Sequence, residues 1–377
     1  RLHRSASAQM SRPAISIQKS GGWTFGSPSV LMMFYRAPGE LQSELQEMDE
    51  CMPHYYKITN GHGQGAETIM RAEADFMRAC FADAQIMLER AYAQIGGNGQ
   101  ENMALCCDFL AWRLSLCTSF TPRESFEQRR ETLLQQHNVA WLNILQSSCA
   151  YYYALLGLPE KIPAVFREHQ LASIHFLAPG KPMMELIENQ VYLAQGEYAK
   201  VIGHSEALLG MCEAMHYALV ALHIRLQTAA AYEMLGKRET ADELLISALA
   251  AAEPDALYLP FVENYRYLKT ALTRGAGAKF AAFVRTVTPL GEDFVRRCGE
   301  KRAEGSRPAA LAGLTERESA IAALVAKRLS NREIAEQLFL SEGSVKQYIN
   351  QIYSKLLITG DVRTKRKRLA ELAAPKS

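Results

Sequence analysis

The clearest alternation of apolar and polar positions lies in the last 65 residues of the 377-residue chain. Apolar side chains fall at helical steps at Ile321, Leu324 and Val325, then at Ile334, Ala335 and Leu338, then at Val345, Ile349, Ile352 and Leu356. Polar residues punctuate these runs. Thr315 with Glu318, and Ser330 with Glu333, form Ser/Thr-x-x-Glu boxes, in which hydroxyl and carboxylate each satisfy a free backbone N–H. Ser341, before Glu342-Gly343-Ser344, is a third N-cap candidate. Phe339-Leu340-Ser341 is then a three-residue turn between two helices, which is the outline of a helix-turn-helix. Asp361 to about Ala374 reads as a fourth helix, carrying the basic run Arg363, Lys365, Arg366, Lys367, Arg368.

The third helix sorts by face. Val345, Ile349, Ile352 and Leu356 point inward, which leaves Ser344, Lys346, Gln347 and Asn350 outward near the helix N-terminus, where a recognition helix meets base edges. Lys reaches guanine O6 or N7, and Gln and Asn suit the paired N6/N7 edge of adenine. Ser344 and Lys355 are expected at phosphate. Asn331 and Arg332, opening the second helix, complete the expected DNA-binding set. A solvated polar face is the commoner meaning of such a helix taken alone. Caps, turn length and basic tail together favour double-stranded DNA.

The same helical period continues through the rest of the chain, and it repeats. Gly157, Gly196 and Gly236 are spaced 39 and 40 residues apart, each after an aromatic-rich helical stretch, and Ala79 stands two such periods ahead of Gly157. A period of this length marks stacked helical pairs. Ala229, Gly236, Ala241 and Ala248 fall where a tetratricopeptide-like pair needs close helix approach, with the bulky Tyr232 between them. Ala72, Ala79, Ala84 and Ala91 form the same small set earlier. The sequence therefore predicts an all-α chain. Its expected parts are an irregular leader (residues 1–40), tetratricopeptide-like repeats (41–300), a linker (301–313) and the helix-turn-helix module (314–374).

Residues 314–372 resemble the LuxR-type (GerE-like) helix-turn-helix of bacterial transcriptional regulators. The likeness runs from Leu314-Thr315-x-Arg317-Glu318 through Leu329-Ser330-Asn331-Arg332-Glu333-Ile334-Ala335 to Leu340-Ser341-Glu342-Gly343-Ser344-Val345-Lys346 and Ile352-Tyr353-x-Lys355-Leu356. It implies a four-helix module whose third helix enters the major groove, with Lys346, Gln347 and Asn350 near the bases. Two positions depart from the pattern. Leu357 stands where Gly is usual, which bears on how the recognition helix ends. Tyr348 stands where His is common, which bears on a phosphate contact.

Earlier stretches resemble the helical-repeat sensor of large MalT-like LuxR regulators. Among them are Gly22-Trp23-Thr24-Phe25-Gly26, Tyr152-Tyr153-Ala154-Leu155-Leu156-Gly157 and Pro254-Asp255-x-Leu257-Tyr258-x-Pro260-Phe261. Members of that family usually carry an ATP-binding domain ahead of the repeats, yet no Gly-x-x-x-x-Gly-Lys-Ser/Thr occurs in this sequence. Arg1 is no initiator Met, and the opening reads as mid-domain, as in a fragment or the product of a shortened gene.

Charge agrees with this division of labour. From Gly313 onward there are 12 Lys+Arg and 7 Asp+Glu, a formal +5, and the remaining 30 and 33 of the chain's 42 and 40 leave −3. The basic excess is confined to the module that would meet phosphate. Eight cysteines without Cys-x-x-Cys spacing read as reduced core thiols of a cytoplasmic protein. No apolar run approaches a membrane span. Gly61-His62-Gly63-Gln64-Gly65 reads as a connector, and the dispersed His residues lack His-x-x-x-His spacing, so no metal, cofactor or catalytic residue is expected. The aromatic residues Tyr151–Tyr153, Tyr258, Phe261 and Tyr265 are expected to pack.

The expected function is sequence-specific transcriptional regulation. The repeats would sense a small-molecule or protein effector, and the module would bind DNA as a homodimer, with RNA polymerase a further partner. The competing reading is a helical-repeat interaction scaffold with a degenerate DNA-binding module.

Overall fold

A computed structural model of the chain describes residues 27–373 apart from 60, 62, 96–99, 136–138, 175–177, 276 and 306–312. Among the described residues the elements are helical, with no strand. The leader's Gly22–Gly26 likeness and His62 lie outside the described residues. The chain divides into two compact units, Arg1–Cys298 and Gly299–Ser377. In the first, α1 (Leu31–Phe34), α2 (Leu41–Thr59), α3 (Ala66–Met77), α4 (Phe81–Ile95), α5 (Glu101–Cys117) and α6 (Phe126–Gln135) are followed by α7 (Val139–Leu156) and α8 (Ala164–Arg167). Next come α9 (Lys181–Gln195), α10 (Tyr198–Met215), α11 (Ala218–Met234), α12 (Arg238–Ala252), α13 (Leu259–Glu263) and α14 (Tyr265–Gly275). Helix α15 (Ala281–Gly305) runs across the boundary, so residues 301–305 of the expected linker are helical.

The 39-residue period has a physical cause in the way helices end. Gly157, Gly196 and Gly236 each adopt positive φ just after a helix. At each, the next N–H reaches back five residues: Leu158 to Tyr153 O at 3.0 Å, Glu197 to Tyr192 O at 2.8 Å and Lys237 to Tyr232 O at 2.9 Å. This is the Schellman closure, which satisfies carbonyls that a helix end leaves free. Ala79 does the same with φ of 59°, through Cys80 N–H to Asp75 O at 2.8 Å. The small residues between these ends make the close contacts. Ala72, Ala84 and Ala91 of the α3–α4 pair, and Ala229, Ala241 and Ala248 of the α11–α12 pair, are wholly buried. Short connections of two or three residues fold such neighbours back on one another.

One fully buried ion pair ties three helices of this unit. The Arg113 guanidinium of α5 donates to both Glu263 carboxylate oxygens of α13 at 2.8 and 3.1 Å, and Tyr151 Oη of α7 donates to the same carboxylate at 2.8 Å. The rings of Phe76, Phe109 and Tyr151 surround the guanidinium at 4.9, 5.2 and 5.7 Å, so π faces replace the water that burial removed. Tyr151, Phe261 and Tyr265 are core residues, as packing predicted, and Tyr152 and Tyr153 are half-buried against Phe126.

The described part of the expected leader, residues 27–40, packs against the helical unit. Val30, Leu31 and Met32 are wholly buried, and Leu31 N–H donates to the Glu73 carboxylate at 2.6 Å. Tyr35 O accepts from Ala218 N–H at 3.1 Å, while Tyr35 Oη and Gly39 N–H both donate to Asp255 at 2.6 Å. The segment is a strap across helices distant in sequence. None of the eight cysteines is in a disulfide; Cys106, Cys107, Cys117, Cys212 and Cys298 are buried and Cys80 is exposed. No helix among the described residues is long and apolar enough to cross a membrane.

The second unit contains α16 (Glu316–Ala326), α17 (Asn331–Leu338), α18 (Glu342–Lys355) and α19 (Val362–Ala373), with its own core. Ile321, Val325, Ile334, Ala335, Val345, Ile349 and Ile352 are buried as their spacing predicts, and Leu324, Leu338 and Leu356 are partly so. Tyr353, Ile358 and Leu369 join them from α18, the following turn and α19.

Candidate nucleic-acid interface

The three caps hold the helix-turn-helix in shape. Thr315 N–H donates to Glu318 Oε2 at 2.7 Å while Glu318 N–H donates to Thr315 Oγ1 at 3.3 Å. Ser330 and Glu333 repeat that exchange at 2.7 and 3.3 Å. Ser344 N–H donates to Ser341 Oγ at 3.1 Å, which fixes where α18 begins. Between α17 and α18, Phe339 adopts φ of 54° and Leu340 N–H closes onto Ala335 O at 2.9 Å, so the three-residue turn is a helix-end motif feeding directly into the next cap.

With its apolar stripe buried, α18 presents a concave surface of about 770 Å³, whose lining includes Lys346, Gln347, Asn350, Gln351, Ser354 and Lys355. The structure thus brings together Lys346, Gln347, Asn350 and Lys355, all exposed. Gln351 and Ser354 were absent from the sequence-derived set. Their spacing of four and seven from Gln347 places them on the same helix face, and that signal was available.

Other expected contacts have different surroundings. Ser344 is half-buried, and its hydroxyl meets Ser341 Oγ at 2.8 Å, so it belongs to the cap and is not part of the concave lining. Lys355 Nζ donates to Glu318 Oε2 at 2.7 Å, tying the end of α18 to the start of α16. Burial opposes charge on Glu318, but bonds from Lys355 and Thr315 outweigh it and hold the pKa below the usual carboxylate range. That pairing also cancels a carboxylate that lines the concave surface and would repel phosphate. Asn331 Oδ1 accepts from Arg366 Nη1 at 2.7 Å, and Arg366 Nη2 also donates to Leu329 O at 2.6 Å. One residue of the basic run therefore fastens α19 to the start of α17. Arg332 is exposed and paired with Glu336 at 3.2 Å along its own helix. Tyr348 packs partly against the core. Among the described residues no group of His, Cys, Asp and Glu is set to hold a metal ion.

Residues 312–366 match the profile of the family described as bacterial regulatory proteins, luxR family. The C-terminal module is a LuxR-family helix-turn-helix domain. It is similar to the transcriptional regulatory protein LnrK of Bacillus subtilis (strain 168), 41% identical over 63 residues, which is 16% of this chain and 29% of that protein. It is also similar to the DNA-binding transcriptional activator DevR/DosR of Mycobacterium tuberculosis (strain ATCC 25618 / H37Rv), 39% identical over 46 residues, 12% of this chain and 21% of that protein. The chain thus spans less than a third of the length of either relative. No solved structure matches.

Proposed function

We propose that this chain is a transcriptional regulator whose C-terminal module reads duplex DNA through α18, under the control of an effector sensed by the helical unit. The single observation that carries the DNA-binding reading is the joint exposure of Lys346, Gln347 and Asn350 on one concave helix face behind a capped N-terminus. Lys346 supplies a donor for guanine, and Gln347 and Asn350 supply donor–acceptor pairs for adenine. Lys367 and Arg368 on α19 are exposed cations for phosphate. One module offers little groove contact for tight specific binding, so two modules on paired half-sites are the expected form. The paired helices of the first unit and their repeated ends support a tetratricopeptide-like sensor, in keeping with the likeness to MalT-like regulators.

The test is capture of random genomic fragments by the intact chain and by Lys346→Glu. A shared motif that disappears in the variant is the expected result. Retention without a motif, steeply weakened by salt and unchanged in the variant, would reduce the module to a phosphate-attracting tail and leave the helical unit as a scaffold.

A further inference from the structure

A second concave site lies in the helical unit, and its chemistry is unlike that of the DNA face. A cleft of about 580 Å³ opens between the strap at Tyr35–Pro38 and the α10–α11 hairpin, with Ala251 of α12 also lining it. Its volume is in the range of small-ligand pockets. Among the described residues, the buried or half-buried arginines of this unit nearly all have an evident use. Arg71, Arg113, Arg129 and Arg297 each hold a carboxylate, and Arg266 lies over the Tyr267 ring. Arg225, half-buried in the cleft, has neither a carboxylate nor a ring among them. On the opposite helix, Glu206 and Glu213 also line the cleft, exposed, with no cationic partner among the described residues. Half-burying a cation without a partner is costly, whereas a bound anion would satisfy it bidentately.

Helix geometry separates Glu213 from Arg225. The α10–α11 hairpin turns at His216 and Tyr217, so Glu206 lies near the level of Arg225, while Glu213, three residues from the turn, and Arg225, eight residues from it, stand about 7 Å apart along the hairpin at 1.5 Å per residue. Between them the lining is apolar, with Leu209, Ala221 and Leu222. Gly210 sits mid-helix on this wall, and a Cβ added there would meet nothing within 4 Å. Glycine inside a helix is destabilising relative to alanine, and packing does not require it here.

We infer that this cleft binds a short peptide with free termini, its carboxylate on Arg225, its ammonium at Glu213 and its apolar side chains along Leu209 and Leu222. As the site of effector sensing it rests on the regulatory reading above, though binding itself does not. An occupant would touch the strap as well as the hairpin. Tyr35 holds both ends of that junction, through its carbonyl to Ala218 N–H and its hydroxyl to Asp255.

Calorimetric titration of the intact chain tests this, with L-leucyl-L-leucine, its N-acetyl derivative and its C-terminal amide as probes. The dipeptide is expected to bind, and each blocked form to bind about tenfold more weakly, the worth of one charge-assisted hydrogen bond. Arg225→Gln should weaken the dipeptide to the level of its amide while leaving the amide unchanged, and Glu213→Gln should do the same with respect to the N-acetyl form. Gly210→Leu places a good helix former in α10 and fills the cleft, so it should abolish binding while the fold persists by circular dichroism. Absence of dipeptide binding, or binding indifferent to Arg225→Gln and Gly210→Leu, overturns the proposal. Fragment capture without peptide then separates the two failures: an intact DNA motif leaves the regulatory reading standing, and its loss removes that reading instead.

Discussion

Glu73 is a carboxyl group sealed in the core of the helical unit. It accepts the Leu31 N–H through one oxygen, and its other oxygen has no partner. Burial pushes its pKa up to about 7 against the bonds from Leu31 and Ser29 and the charge of Arg113. The sign of the consequence follows. Below the unfolded value of 4.5 both states are protonated and the folded state suffers no penalty. As pH rises toward 7 the unfolded carboxyl ionises first, and the stabilising difference is lost as pH passes through the folded value. Glu73→Gln should therefore raise the melting temperature above pH 7, by roughly 2–3 kcal/mol of stability, with the gain fading by about pH 4.5. His223, held neutral by burial and by Arg113, acts in the opposite sense, so the difference between variant and parent, measured across pH, isolates Glu73. A melting difference that did not change with pH would contradict the assignment. Nothing in the sequence flagged this residue. Glu73 sits on a helix whose apolar period is otherwise regular, and its partner Leu31 lies 42 residues away.

At the scale of the element, what was legible was local. Three N-caps, the turn between α17 and α18 and the inward stripe of α18 depend on residues within one or two helical turns of each other, and the sequence specified them. The period of 39 residues was legible for the same reason, because a Schellman end is written in a few adjacent residues. Ties across elements were not legible. Lys355 to Glu318 spans 37 residues and Arg366 to Asn331 spans 35, so Lys355, expected at phosphate, and Arg366 of the basic run are both engaged within the module. Leu357 illustrates the converse. It ends α18 with φ of 53°, and Ile358 N–H closes onto Tyr353 O at 2.9 Å, yet its side chain is 85% exposed and packs little. The left-handed conformation costs a leucine about 1–2 kcal/mol that glycine avoids. Leu357→Gly should therefore stabilise the C-terminal unit by about 1 kcal/mol, read by urea denaturation with a probe in that unit. Destabilisation would mean that the side chain has a packing role its exposure denies. Ser330→Ala should cost the same unit about 1 kcal/mol, because it removes the hydroxyl that accepts the Glu333 N–H, while the backbone N–H of residue 330 keeps its bond to the Glu333 carboxylate. The two variants change opposite ends of neighbouring helices and share no hydrogen bond, so their effects should add within a few tenths of a kcal/mol.

Across the whole molecule the division is one of charge. The sequence from Gly313 onward carries a formal +5 and the rest −3, so long-range attraction to a duplex belongs to the C-terminal module while the helical unit contributes none. Within that module the cations divide again by use. Arg366 and Lys355 are committed to internal bonds, and Lys367 is exposed, with only a loose 3.9 Å approach to Glu371 on its own helix. Exposed helix pairs of that kind contribute little and yield readily to a phosphate. Lys367→Ala should therefore weaken binding to every duplex alike and reduce the slope of log affinity against log salt by about one. Lys279→Ala, which removes an exposed cation of the helical unit, should leave that slope unchanged. Asn350→Ala, by contrast, should leave the salt slope alone and lower the preference for the selected motif by about 1–3 kcal/mol, because the contact proposed for Asn350 is to a base edge and involves no counterion. Filter binding of the three variants over a salt series, on motif and scrambled duplexes, separates the terms. A slope that fell with Lys279→Ala would place the helical unit on the duplex and contradict the division of charge from which the prediction starts.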